Sequence, residues 1–238
     1  MIPRIIHYCW FGRGPMPESV QKCISSWRRC MPHYAYKCWD EENFDVQSVP
    51  YVKEAYAAGK YAFVSDYVRL YALCSEGGIY LDTDVEVFKT FDNLLRYTAF
   101  AGFEGSKHLP MGTCVLASEA YGEWAREMLG LYQDHHFLNP DGTLDMTTNV
   151  QFLSSYMRAK GFVQDGREQD YKDLHVFPVE YFCPRLTTGE YLLTENTYCD
   201  HLGLGSWSEG HGWKDKVGEM VGPKTMTRLI KLKRKLIG

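Results

Sequence analysis

Four residues in this sequence carry the spacing and chemistry of a reactive site: Asp66 and Arg69, three apart, and Asp82 and Asp84, two apart. From Ile79 to Phe88, the residues Ile79, Leu81, Thr83, Val85 and Val87 alternate with Tyr80, Asp82, Asp84, Glu86 and Phe88. That period of two predicts a strand with Tyr80, Asp82 and Asp84 on one side. Two carboxylates held together on an otherwise apolar strand repel unless a cation or solvent screens them. A hard divalent cation answers that need, because it takes oxygen ligands and leaves positions open for phosphate oxygens. A solvated strand end would also tolerate the pair, and Asp-x-Asp alone is short. Asp66 and Arg69 add context: three apart, they share one face of a helix. Arg offers a fixed fork of donors suited to oxygen-rich ligands, which Lys cannot reproduce.

The elements that must place these residues can be read on either side. Val64, Val68, Ala72 and Leu73 recur at helical spacing. Ser65 is the predicted N-cap, with Asp66 in the first turn. Gly77 and Gly78 then end the helix and turn the chain. Upstream, Ile5 to Phe11 predicts a buried strand, Pro17 to Cys30 a helix, Tyr34 to Trp39 a strand and Tyr51 to Ala58 a short helix. Strand–helix–strand order is the start of a doubly wound α/β fold. Ligands bind such sheets at the carboxyl ends of the strands, so Trp10 lies where a base could stack; a core tryptophan is the alternative. Neither a dinucleotide-binding nor a P-loop glycine pattern occurs. Downstream, Thr98 to Phe103 and Thr113 to Ala117 predict strands, and a helix follows through Tyr132. His135-His136 predicts a solvated helix end, since adjacent helical side chains point apart. Another helix opens at Met146 to Asn149, with Val150, Leu153 and Met157 as its apolar face. His175 to Pro184 predicts an edge strand.

The run Ser65-Asp66-x-x-Arg69-x-Tyr71-x-Leu73, followed by Gly77-Gly78-Ile79-Tyr80-Leu81-Asp82-x-Asp84, closely resembles the family 32 glycosyltransferases. This sugar-binding DXD family includes yeast-type α-mannosyltransferases and bacterial polysaccharide enzymes; the catalytic domains of large glucosylating toxins look like more distant relatives. His201 followed by Gly205-Ser206-Trp207 resembles the family's C-terminal signature. The resemblance is strongest over residues 61–88 and covers most of 2–210. It implies an A-type glycosyltransferase fold over residues 1–213, with a Rossmann-like, mostly parallel central sheet flanked by helices. It implies retaining transfer of a sugar from a nucleotide-sugar donor, UDP-sugar ahead of GDP-sugar, to a saccharide or lipid-linked acceptor of capsule or O-antigen type. The implied cofactor is a divalent metal, Mn²⁺ ahead of Mg²⁺, held by Asp82, Asp84 and His201. Donor binding falls to Trp10, Asp66, Arg69, Tyr80, Asp82, Ser206 and Trp207, and the reacting centre to Asp66, Arg69, Asp82, Asp84 and Asn149. For Asn149 an ordinary helix N-cap stays open as the alternative.

A chain of 238 residues with 45% hydrophobic and 24% charged residues suits one soluble α/β domain. The formal net charge of −4 is unevenly spread: residues 214–238 carry eight Lys or Arg against Asp215 and Glu219. That leaves the tail at +6 and the remainder at −10. Leu229, Leu232 and Leu236 share a helical face there, so the expectation is a basic amphipathic tail at an anionic membrane surface. Nothing else in the chain supports nucleic acid as a partner. The opening residues lack a signal-peptide pattern, so the expected location is the cytoplasm, peripheral on the inner membrane face. The eight cysteines are scattered with no Cys-x-x-Cys pair and read as reduced thiols rather than disulfides or a zinc site. Two other readings compete: a non-catalytic sugar-nucleotide or carbohydrate-binding module, and a protein-modifying glucosyltransferase.

Overall fold

The computed structural model describes residues 1–105, 110–186 and 188–204. Ser206, Trp207 and the basic tail from 214 to 238 lie outside the described residues. The chain runs β1 (Ile5–Cys9), α1 (Glu18–Cys30), β2 (Ala35–Trp39), α2 (Pro50–Ala57), α3 (Tyr61–Glu76), β3 (Gly78–Leu81) and β4 (Val85–Val87). It continues through β5 (Ala99–Gly102), β6 (Val115–Ser118), α4 (Glu123–Gly130), α5 (Asn149–Ala159), β7 (Gln169–Tyr171), β8 (Leu174–Phe177) and β9 (Cys199–His201).

Seven strands form the central sheet in the order β2-β1-β3-β6-β5-β8-β7. β1, β2, β3, β5 and β8 run one way, and β6 and β7 run the other. The mostly parallel α/β architecture expected of an A-type glycosyltransferase is therefore present. Alternation along the strands feeds two separate cores. Cys9, Tyr80 and Leu116 point to one face, where α2, α3, α4 and α5 pack through Val52, Phe63, Val64, Val68, Trp124 and Leu153. Ile6, Ile79 and Val115 point to the other, against Val20, Ile24 and Trp27 of α1.

The predicted strand from Ile79 to Phe88 is in fact two short strands. β3 stops at Leu81, the chain turns over Asp82 to Asp84, and β4 leaves the central sheet to pair antiparallel with β9. Helix α1 holds β4 in this position. Trp27 Nε1 donates to the Val85 carbonyl at 2.6 Å, and the Val87 amide donates to Ser26 Oγ at 2.9 Å. These buried bonds satisfy backbone groups that the central sheet would otherwise have paired.

Three further expectations are corrected. Ser65 is not a cap: α3 begins at Tyr61, four residues earlier, because Phe63 extends its apolar face, and Ser65 Oγ donates back to the Tyr61 carbonyl at 3.1 Å. β8 is not an edge strand, since β7 pairs along its outer side and the prolines Pro178 and Pro184 fall beyond it. His135 and His136 do not end a helix: α4 stops at Gly130. His135 stacks on Tyr51 and Phe152, and His136 pairs with Glu54 at 2.7 Å.

Candidate metal and donor site

The two glycines after α3 set the geometry of everything downstream. Gly77 has φ +67° and Gly78 φ +116°, in the region that favours glycine. A Cβ on Gly77 would sit 2.6 Å from the Ala120 amide, and one on Gly78 would sit 2.7 Å from the Ile5 carbonyl. So α3 reverses directly into β3 while β3 lies tight against β1. His7 buttresses the reversal: its Nδ1 accepts from Trp39 Nε1 at 3.1 Å, leaving Nε2 to donate to the Gly77 carbonyl at 2.7 Å.

That reversal brings Asp66 and Arg69 of α3 over the end of β3. Arg69 is 5% exposed, and its Nη2 lies 2.9 Å from Asp66 Oδ1 and 3.3 Å from Asp82 Oδ1. Its Nη1 donates to the Thr113 carbonyl at 2.8 Å, and its guanidinium lies over the Tyr80 ring. Tyr80 OH donates to Asp82 Oδ1 at 3.0 Å. The expected grouping of Asp66, Arg69, Tyr80 and Asp82 is observed, although Asp82 sits at the turn rather than within a strand. Burial, opposed by Arg69 and assisted by Asp82, pushes the Asp66 carboxyl up to about 7.

His201 reaches the same place from the far end of the chain. In the β4–β9 pair it stands opposite Val85, the residue after Asp84. The Leu202 amide donates to the Asp84 carbonyl at 3.0 Å, and the Leu204 amide donates to Asp84 Oδ2 at 2.9 Å. His201 Nε2 lies 3.3 Å from Asp84 Oδ1. Burial disfavours charge on both groups, yet the pairing wins. Cys114 and Asp84 hold the imidazole well above its usual range, and His201 with the Leu204 amide holds Asp84 low. One donor atom each from Asp82, Asp84 and His201 lies within 4.8 Å of the others. Their side chains are 24%, 17% and 28% exposed, so the set opens to solvent. Carboxylate, carboxylate and imidazole suit Mn²⁺ or a similar divalent ion.

Asn149 lies behind this set rather than within it. It is 2% exposed, and its amide donates to the Asp66 carbonyl at 3.1 Å and to Tyr132 OH at 2.8 Å. It is not the N-cap either: Thr148 caps α5 through a capping box with Gln151. Asn149 Oδ1 is buried without a hydrogen-bond partner among the described residues. Trp10 stands at the carboxyl end of β1, as expected, half-buried with its indole N–H donating to the Gly14 carbonyl at 2.7 Å.

Several residues that shape the site are missing from the sequence-based set. Arg185 grips the buried Asp200, the neighbour of His201, through bonds of 2.9 and 2.8 Å, and Tyr191 OH donates to the same carboxylate. Glu104, Cys114 and Cys183 gather around His201. Each is isolated in sequence, so no local spacing could have singled it out.

Residues 17–101 match the family model described as the glycosyltransferase sugar-binding region containing DXD motif. The chain is similar to inositol phosphoceramide mannosyltransferase 3 of Schizosaccharomyces pombe, 35% identical over 106 residues, covering 42% of this chain and 29% of that protein. It is also similar to the mannosyl phosphorylinositol ceramide synthase SUR1 of Saccharomyces cerevisiae, 27% identical over 169 residues, covering 65% of this chain and 41% of that protein. The chain thus spans less than half the length of either relative. Among solved structures, a glycosyltransferase involved in the glycosylation of the major capsid of PBCV-1 has a TM-score of 0.49 at 14% identity, covering 92% of this chain and 99% of that one.

Proposed function

We propose, on the premise that this chain belongs to the glycosyltransferases with the DXD-motif sugar-binding region, that it is a metal-dependent, retaining hexosyltransferase using a nucleotide-sugar donor. The observation that carries this reading is the convergence of Asp82, Asp84 and His201 beside the Asp66–Arg69 pair at the end of β3. When bound, a divalent ion would act as a Lewis acid on the departing diphosphate, where negative charge concentrates. Asp84 and His201 would hold that ion, with Asp82 shared between it and the donor. Arg69 fixes Asp66 and Asp82 in place and leaves Asp66 beside the space where sugar hydroxyls would lie. Asn149 supports that turn of α3 through the Asp66 carbonyl. Trp10, one strand over at the end of β1, offers a stacking face for the base.

The names of the yeast relatives support a mannosyl donor and a lipid-linked acceptor more than a capsule or O-antigen polysaccharide. A lipid-linked acceptor also gives the basic residues of 214–238 a purpose, drawing the enzyme to an anionic membrane surface, at the cytoplasmic face. If so, deleting residues 224–238 lowers cosedimentation with anionic vesicles, and unchanged cosedimentation removes that role.

The test is a panel of UDP- and GDP-sugars offered to the purified protein with and without Mn²⁺, read by calorimetry and by donor hydrolysis. The expected result is one donor that binds only with the metal. Asp84→Asn should lower turnover by about 10²–10³-fold, the scale of losing a preorganised electrostatic contact, without changing the fold. A folded protein that binds no donor, or full turnover in Asp84→Asn, defeats the proposal.

A further inference from the structure

We propose that Glu104, Cys114, Cys183 and His201 form a second metal site, matched to Zn²⁺, that shares its imidazole with the Asp82–Asp84 pair. One donor atom from each of the four lies within 4.8 Å of the other three. Four-coordinate zinc with Zn–S near 2.3 Å and Zn–N near 2.0 Å separates neighbouring donors by roughly 3.3–3.8 Å. The Cys114 and Cys183 sulfurs are 3.1 Å apart. They need open only slightly to accept the ion, and they are far from the roughly 2.05 Å of a disulfide.

The chemistry of the set separates it from its neighbour. Two thiolates with an imidazole and a carboxylate are borderline-soft and select zinc, whereas Asp82 and Asp84 offer hard oxygens suited to Mn²⁺ or Mg²⁺. The placement is also that of a built site. Cys114 and Cys183 are 2% and 6% exposed and lie in the apolar cluster with Phe100 and Phe182, while Glu104 and His201 are partly exposed and leave a way in. Glu104 makes no ion pair among the described residues. Its backbone amide is fixed to the Pro110 carbonyl at 3.0 Å, just past β5. The Cys114 carbonyl accepts from the Asp82 amide at 2.9 Å, so the floor of one site is the wall of the other. Zinc binding would send the two thiol protons and the imidazolium proton to solvent.

The site stands on this geometry alone; its effect on turnover rests on the donor-metal role proposed for His201. An imidazole drawn into the thiolate shell is withdrawn from Asp84, so zinc would inhibit Mn²⁺-dependent transfer.

The experiment titrates the full-length, reduced, metal-free protein with Co²⁺ alone and follows its absorption. The expected result is one Co²⁺ with four-coordinate d–d bands and thiolate-to-cobalt charge transfer, displaced by Zn²⁺. Cys114→Ser and Cys183→Ser should each lower the charge transfer, the double cysteine variant should remove it, and Asp84→Asn should keep it. Glu104→Gln conserves volume at a partly exposed position, so it decides the matter even if a core serine variant fails to fold. It should weaken Co²⁺ binding by about tenfold or more. The proposal is overturned by any of four results: no charge-transfer band, a band that survives in the double cysteine variant, unchanged Co²⁺ affinity in Glu104→Gln, or a Cys114–Cys183 disulfide in protein kept under thiol reductant. If Mn²⁺ supports no turnover with any donor, the transferase reading fails while the cobalt spectrum still decides the zinc site.

Discussion

Asp84 and His201 neutralise each other at 3.3 Å, so a metal must displace a proton to use both. Because Cys114 and Asp84 raise the imidazole pKa against the cost of burial, Mn²⁺ affinity should climb with pH as the imidazolium becomes easier to deprotonate. Calorimetry in two buffers of different ionisation enthalpy should register proton release on Mn²⁺ binding, and buffer-independent heats would refute it. Asp66 makes the opposite kind of statement. Folding moves its pKa from the ordinary carboxylate range up to about 7, chiefly through burial. The folded state then binds that proton more tightly than the unfolded chain. The resulting stability is complete at low pH and is lost as the pH rises through about 7. Urea unfolding of the metal-free protein should show that decline, and Asp66→Asn should flatten it. Asp66, Arg69, Asp82 and Asp84 were legible because carboxylates and an arginine at short spacing declare themselves locally, whereas His201 was legible only through its resemblance, with Gly205-Ser206-Trp207, to the family's C-terminal signature. Glu104, Cys114, Cys183 and Arg185 were not, because their meaning arises only when β5, β6 and the segment before β9 converge.

The two-stranded β4–β9 unit is the element that assembles the site, and sequence alternation misread half of it. From Ile79 to Phe88 the period of two is unbroken, so nothing local announces that the chain leaves one sheet for another after Leu81. The reason is tertiary: Trp27 and Ser26 of α1 capture the backbone of β4. β9 is held in turn by the Arg185–Asp200 pair, in which the Asp200 side chain is 2% exposed. Arg185→Ala would leave that carboxylate buried and unpaired, at a cost of about 3–5 kcal/mol. Urea unfolding should report that loss, and Mn²⁺ affinity should fall with it because His201 is the next residue along β9. Normal stability in Arg185→Ala would mean that Tyr191 alone satisfies Asp200. Gly77 belongs to the same scale. With Gly78 it is where the two-glycine reading of the sequence translates directly into structure, as backbone φ values of +67° and +116° and approaches of 2.6 and 2.7 Å.

At the scale of the whole molecule, strand–helix–strand order predicted the start of a doubly wound α/β fold, and the family resemblance implied the mostly parallel sheet with helices on both faces. The sequence could not set the order of the later strands, because β5, β6 and β8 are short and their pairing depends on long-range packing. That topology has a thermodynamic consequence. Asp82 and Asp84 follow β3 of the seven-stranded sheet, whereas His201 belongs to the smaller sheet, so a metal held by all three ties the two sheets together. The unfolded chain cannot gather ligands more than a hundred residues apart, so the ion binds the folded state preferentially. At a hundredfold excess over Kd, Mn²⁺ should add about 2.7 kcal/mol of stability. For a chain of this size that corresponds to a rise in Tm of roughly 5–11 °C. Differential scanning fluorimetry across a Mn²⁺ series measures it directly. The shift should disappear in Asp84→Asn and survive in Cys183→Ser, whose thiol belongs only to the zinc set. A shift that persists in Asp84→Asn would place the stabilising ion elsewhere and separate the Asp-x-Asp turn from metal binding.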